Sequence, residues 1–93
     1  MAKVHPIHDY RFSEHAKQEM ARRQISVDAV AAVLAEPEQT AVVSPGRIVC
    51  QSRVEWPDPP RIYLLRVFVD IDRVPSVVVT AYRTSRIEKY WSG

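Results

Sequence analysis

Val74-Pro75-Ser76-Val77-Val78-Val79-Thr80-Ala81-Tyr82-Arg83-Thr84-Ser85-Arg86 carries an apolar run directly into a cationic, hydroxyl-bearing one. Residues Val77 to Ala81 are β-branched or small and show no polar alternation before Thr80, which suits a strand covered on both faces. The sequence therefore predicts a central strand. Pro75 has no N–H to give to a ladder, so it marks where pairing begins. Because side chains alternate along a strand, Thr80 and Tyr82 are expected on one face with Val78, and Ala81 and Arg83 on the other with Val77 and Val79. Tyr82 and Arg83 then leave the end of the sheet on opposite sides.

Upstream of this strand the hydrophobic period is also two. Gln39 to Val43 reads as a strand, Ser44-Pro45-Gly46 as a tight turn, and Arg47 to Trp56 as its hairpin partner. In that partner Ile48, Cys50, Ser52, Val54 and Trp56 form the core-like set, and Arg47, Val49, Gln51, Arg53 and Glu55 the other. Pro57-Asp58-Pro59-Pro60 cannot continue a ladder and reads as an exposed loop. Arg61 to Asp70 is the next strand, apolar on both faces except for Arg66. After Arg83, Ile87, Tyr90 and Trp91 recur at helical spacing, which predicts a short C-terminal turn with Arg86 and Lys89 on one side.

Before Gln39 the period is helical. Ser13 is a good N-cap, with Phe12 before it and Glu14 in the first turn, for a helix from Glu14 to about Arg23. His15, Glu19 and Arg22 follow at i, i+4 and i+7 on one face, which reads either as a histidine oriented by a carboxylate at the margin of a cleft or as a solvated face with one ion pair. Ser26 caps a second helix, Val27 to Ala35, stopped by Pro37 and almost without polar surface. That helix has no side chain suited to reading base edges, so it is not a DNA-recognition helix. Met1 to Arg11 has no period and reads as a tail or short edge strand.

The expected architecture is thus a single α+β domain over residues 1–93: two N-terminal helices, an antiparallel sheet of about four strands, and a short C-terminal helical turn. Helices cover one face of the sheet, and the other is left open. Thirteen Lys and Arg against eleven acids give a formal net charge of +2, too small for strong general attraction to polyanions. The cations are unevenly placed, however. Arg47, Arg53, Arg66, Arg83, Arg86 and Lys89 are expected to gather into one cationic patch on the open face and the C-terminal segment. Cys50, the single cysteine, reads as a small buried hydrophobe and excludes an internal disulfide. His5, His8, His15 and Cys50 lack metal-site spacing, so no metal or other cofactor is expected. No apolar run is long enough to span a bilayer, and the first residues lack a signal peptide's apolar centre; a cytoplasmic location is expected.

Phe12-Ser13-x-His15-Ala16, Met20-x-x-Arg23-x-Ile25-Ser26, Val78-Val79-Thr80-Ala81-Tyr82-Arg83 and Lys89-Tyr90-Trp91 together resemble the bacterial domain of unknown function 4258 family, which is related in fold to RelE/ParE and BrnT toxins. Gln24 stands where the resemblance implies a glycine between the helices. The resemblance implies a toxin-like, metal-independent ribonuclease held in check by a cognate antitoxin protein, with RNA as substrate. Alternatives are a non-enzymatic protein- or nucleic-acid-binding module of the same fold, and a ParE-like toxin directed at gyrase. RNA cleavage without a metal needs a base for the 2′-hydroxyl, cations at phosphorus and a donor to the leaving oxygen. His15, Tyr82, Arg83 and Lys89 are the catalytic candidates. Arg23, Arg47, Arg53, Arg66 and Arg86 are the phosphate-binding ones, with Glu19 and Thr80 in support.

Overall fold

Ser13 and Ser26 start two helices by capping them, each hydroxyl accepting a 3.0 Å bond from the backbone N–H three residues on, at Ala16 and Ala29. The computed structural model describes residues 6–92, so His5 lies outside the described residues. In chain order the elements are β1 (Tyr10–Phe12), α1 (Glu14–Arg22), α2 (Val27–Ala35), β2 (Gln39–Ser44), β3 (Arg47–Trp56), β4 (Arg61–Asp70), β5 (Ser76–Thr84) and α3 (Ile87–Tyr90). Between the first two helices Gln24 adopts φ 57, Ile25 donates back to the Met20 carbonyl at 2.9 Å and Gln24 to that of Ala21 at 3.2 Å. This is the paired-bond helix ending that usually employs glycine.

The sheet corrects the expected architecture. It has five strands, ordered β1-β5-β4-β3-β2, and it is mixed: β1 runs parallel to β5, with Tyr10 opposite Ser76 and Phe12 opposite Val78. The remaining neighbours are antiparallel. A strand therefore precedes the two helices, and those helices form the crossover that carries the chain from one sheet edge to the other. Three residues are too few to show a period, which is why Tyr10 to Phe12 gives no strand signal of its own. On its other flank Phe12 leads into Ser13, whose N–H bonds the Val78 carbonyl at 3.0 Å and seats the helix start on β5.

Against the first face of the sheet α1 and α2 bury Ala16, Met20, Ile25, Val30, Val33 and Leu34, which meet Cys50, Leu65, Val67, Val69, Val78 and Ala81. Val78 and Ala81 lie on the same face although they are three positions apart. The ladder explains this: Val69 pairs with Val78 and Phe68 with Thr80, so Val79 is the extra residue of a bulge. Val78 consequently belongs with Ala81 and Arg83, not with Thr80 and Tyr82 as simple alternation requires. Tyr82 and Arg83 do emerge on opposite faces, paired with Arg66 and Leu65.

The second face is not open. The segment through α3 folds across it, so that the Arg53 guanidinium lies 4.3 Å from the Trp91 ring and that of Arg66 4.3 Å from Tyr90. Val49, Gln51 and Leu64 are buried on that side. At the far end of the sheet Gly46, at φ 80, lets the β4–β5 loop close: a Cβ there would come 2.6 Å from an Asp72 carboxylate oxygen, and Ile71 donates to the Gly46 carbonyl at 2.9 Å. Among the described residues no helix is long and apolar enough to cross a membrane.

Candidate functional site

β1 pairs with Ser76 to Val78 of β5, so among the described residues that edge of β5 has no neighbouring strand from Thr80 onward. Arg23 fills part of that gap. Its guanidinium donates to the Ala81 carbonyl at 2.9 Å and the Thr80 hydroxyl at 3.4 Å, and reaches Glu19 at 2.7 Å. Arg83 donates in turn to the Arg23 carbonyl at 3.1 Å, and its guanidinium lies 4.5 Å from the Trp56 ring and 5.4 Å from that of Tyr63. Flat guanidinium against aromatic face holds the charge in place without neutralising it. Arg22 forks onto Glu19, with its closest bond at 2.7 Å.

These groups line an open cleft of about 520 Å³ bounded by Arg22, Arg23, Gln24, Tyr82 and Arg83. Three guanidiniums face it, and Glu19 behind them is the one carboxylate they bond among the described residues. The hydrogen bond from Arg22 holds the Glu19 carboxyl below its usual range, with the Arg22, Arg23 and His15 charges adding to the effect against partial desolvation. Glu19 is thus an anion at neutral pH and a poor proton acceptor. It organises the arginines, and the site keeps a net positive charge that suits a phosphate.

Tyr82 joins this cleft to a second cluster on the other face. Arg66 donates to the Tyr82 hydroxyl at 2.6 Å and, through Nε, to the Gln51 side-chain oxygen at 2.9 Å. The Tyr82 ring stacks on Phe68 at 6.0 Å and meets Tyr90 edge-on at 6.4 Å, while the Lys89 ammonium lies 5.4 Å from the Tyr90 ring centre. Tyr90 gives up its proton more readily than an ordinary tyrosine: hydrogen bonding from the Tyr82 hydroxyl is the largest cause, desolvation opposes it, and Lys89 and Arg66 add further help. A phenol so placed can take and return a proton beside fixed cations.

The residues singled out in the sequence are divided between these places. Arg23, Thr80, Tyr82 and Arg83 meet at the cleft with Glu19 behind them, and Arg66 and Lys89 meet Tyr82 and Tyr90 on the second face. His15 is exposed near the start of α1, about two turns from Arg22, and is not part of the cleft wall. Arg47 is engaged with Asp70 at 2.6 Å and Arg53 with Glu38 at 2.9 Å. Arg86 is exposed, its backbone N–H bonded to the Thr84 hydroxyl. A single cationic patch therefore does not form: Arg83 faces the helices, Arg66 and Arg53 face α3, and two of the six cations are paired with acids. Burial raises the Cys50 thiol to about 11, so it is a core residue and not a nucleophile.

Tyr90 and Gln51 are the site members that the sequence did not bring forward, and Arg22 was read only as part of the His15–Glu19–Arg22 face of α1. Tyr90 and Trp91 have the spacing of core residues, and their meeting with Arg66 depends on the chain folding back over the sheet, which no local pattern encodes. Gln51 sits in a strand position that reads as solvent-facing; two glutamine amides in register, Gln39 opposite Gln51, are the available hint.

Among the described residues there is no group of three or more His, Cys, Asp or Glu able to hold a metal ion. A family model described as Domain of unknown function (DUF4258) matches residues 12–83. No curated protein and no solved structure matches the chain.

Proposed function

The chain belongs to the DUF4258 family, and from that premise and the geometry around Tyr82 we propose that it is a metal-independent endoribonuclease of the toxin type. The observation that carries this reading is the placement of Tyr82 between an arginine-lined phosphate cleft and a tyrosine of raised acidity flanked by Arg66 and Lys89. A single strand of RNA crossing the open edge of β5 lays one phosphate among Arg22, Arg23 and Arg83 and the scissile one beside Arg66. Tyr90, as phenolate, takes the proton of the 2′-hydroxyl. The 2′-oxygen attacks phosphorus, the bond from phosphorus to the 5′-oxygen breaks, and Lys89 returns a proton to that oxygen. The products are a 2′,3′-cyclic phosphate and a 5′-hydroxyl. Arg66 meets the charge that builds on the non-bridging oxygens, while its bond to Tyr82 keeps the guanidinium aimed.

An acidic segment of a cognate antitoxin is proposed to occupy the same cleft, so antitoxin and RNA exclude each other. Binding without cleavage is the second reading, favoured by the position of His15 outside the cleft.

The test is a titration and cleavage assay with labelled single-stranded RNA and its all-deoxy counterpart. Affinity should fall with salt at a slope of about −0.7 per phosphate held. Tyr90→Phe should keep the affinity but lose about 100-fold or more in cleavage, the usual worth of a proton-transfer group. Because the deprotonated phenol is the active form, the parent's rate should rise with pH through the lowered Tyr90 range. Salt-sensitive binding with no cleavage by the parent would favour the second reading, and no binding at low salt would remove both.

A further inference from the structure

Gln51 is a buried amide with every polar atom engaged, and its partners are the two halves of the cluster just described. Its oxygen accepts from Arg66 Nε at 2.9 Å, and its nitrogen donates to the Tyr90 carbonyl at 3.0 Å and to the Gln39 side-chain oxygen at 2.8 Å. Gln39 then closes on the next stretch of chain as a two-point clasp: its nitrogen donates to the Ser92 carbonyl at 2.6 Å and its oxygen accepts from the Ser92 N–H at 3.1 Å. α3 itself is a single turn of four residues without a side-chain cap. So short a helix does not hold its own position in water. What holds it is this pair of amides, together with the Trp91 ring under Arg53 and the Tyr90 ring against Arg66 and Tyr82.

We propose that Gln39 and Gln51 are positioning residues, an amide clasp that fixes the C-terminal segment over β3 and so sets Tyr90 against the Arg66–Tyr82 pair. The proposal rests on the reading of Tyr90 as the proton-transfer group, but the clasp has physical consequences of its own. Amides suit the role because each offers both a donor and an acceptor and neither changes charge with pH. The groups that face Tyr90 are Arg66 on β4, Tyr82 on β5, and Lys89 beside it, with Arg53 on β3 taken up by Glu38 and Trp91. Gln51 holds Arg66 from one side and Tyr90 from the other, so it sets the distance over which those charges act.

The decisive variant is Gln39→Ala, because Gln39 is half-buried at the edge strand and its truncation leaves the core intact; Gln51→Leu is the stronger lesion. Tyrosine ionisation is followed by ultraviolet absorbance in the full chain, with Tyr90→Phe assigning the Tyr90 phase among the four tyrosines. Amide exchange of Trp91 and Ser92 is followed by NMR. In Gln39→Ala the Tyr90 phase should move up toward ordinary tyrosine and the two amides should exchange about tenfold faster, the worth of a lost hydrogen bond. In the cleavage assay the same variant should lose kcat with KM little changed. An unmoved Tyr90 phase together with unchanged exchange in Gln39→Ala overturns the clasp, whatever the parent does to RNA. A shifted phase and faster exchange in a chain that cleaves no RNA upholds the clasp and removes the ribonuclease reading instead.

Discussion

Replacing Gln24 with glycine should stabilise the protein, and the expected gain follows from one dihedral angle. Gln24 sits at φ 57, in the left-handed region, as the residue after the C-cap of α1. Holding a side chain there costs roughly 1–2 kcal/mol through the clash of Cβ with the following carbonyl. Glycine removes that clash but gains freedom in the unfolded chain, which returns about 0.4–1 kcal/mol. The balance is a gain of about 0.5–1 kcal/mol, or a Tm higher by about 2–6 °C in a domain of this size. Gln24→Val should go the other way by a similar amount, because a β-branched side chain fits the left-handed region worse. The substituted side chain is exposed, so neither change disturbs the core. Urea denaturation of the three proteins, fitted with a common slope, gives the midpoints directly. The order expected is glycine above glutamine above valine. Equal midpoints for glycine and valine would refute the reasoning, because they would mean that the turn relaxes out of the left-handed region at no cost.

Three further outcomes follow from the structure. Val78→Asp buries an unpaired carboxylate beneath the helices and should unfold the chain, whereas Val79→Asp, at the half-buried bulge, should leave a cooperative melt; equal damage at both would contradict the bulge. Asp70 and Glu38 are held below the ordinary carboxylate range by hydrogen bonds from Arg47 and Arg53, so their contribution to stability is present above the unfolded pKa and is lost as pH falls below about 4; Asp70→Asn should flatten that acid limb in a pH series of melts, and an unchanged limb would show that the Arg47 pair contributes nothing. His15→Ala should alter RNA affinity by less than about twofold, as for other exposed positions without partners in the site, and a larger loss in the filter-binding titration would bring the start of α1 back into the interface.

What the sequence made legible is what short-range chemistry encodes. The serine caps, the period-two runs and the proline punctuation place α1, α2 and the four later strands within a residue or so of their observed bounds. Cys50 is buried as its apolar neighbours suggest. The strand Tyr10 to Phe12 was legible only as one of two alternatives, a tail or a short edge strand, because its pairing partner and not its composition makes it a strand. The bulge at Val79 was hidden because three consecutive valines read alike in either register. At the site, Tyr82 and Arg83 were legible as the cationic end of an apolar strand, and Arg23 as part of the motif before Ile25. The opposite placement of Tyr82 and Arg83 was legible from strand alternation, but the separation of the six cations was not, because a local pattern does not show which of them have acidic partners. Asp70 takes Arg47 across the β3–β4 ladder, and Glu38, just before β2, takes Arg53 of β3, partnerships that only the register reveals.

The parallel pairing of β1 with β5 also bears on how the chain is made. β1, α1 and α2 are synthesised before β5, yet β1 pairs with β5 and α1 packs chiefly on it. Until β5 has formed, the apolar stripe of α1 has no surface to settle on, and closing so long a loop is entropically slow. The antiparallel hairpins β2–β3 and β3–β4, by contrast, pair with immediate neighbours in sequence. A nascent chain should therefore gather from its middle outward, with its beginning waiting on its end.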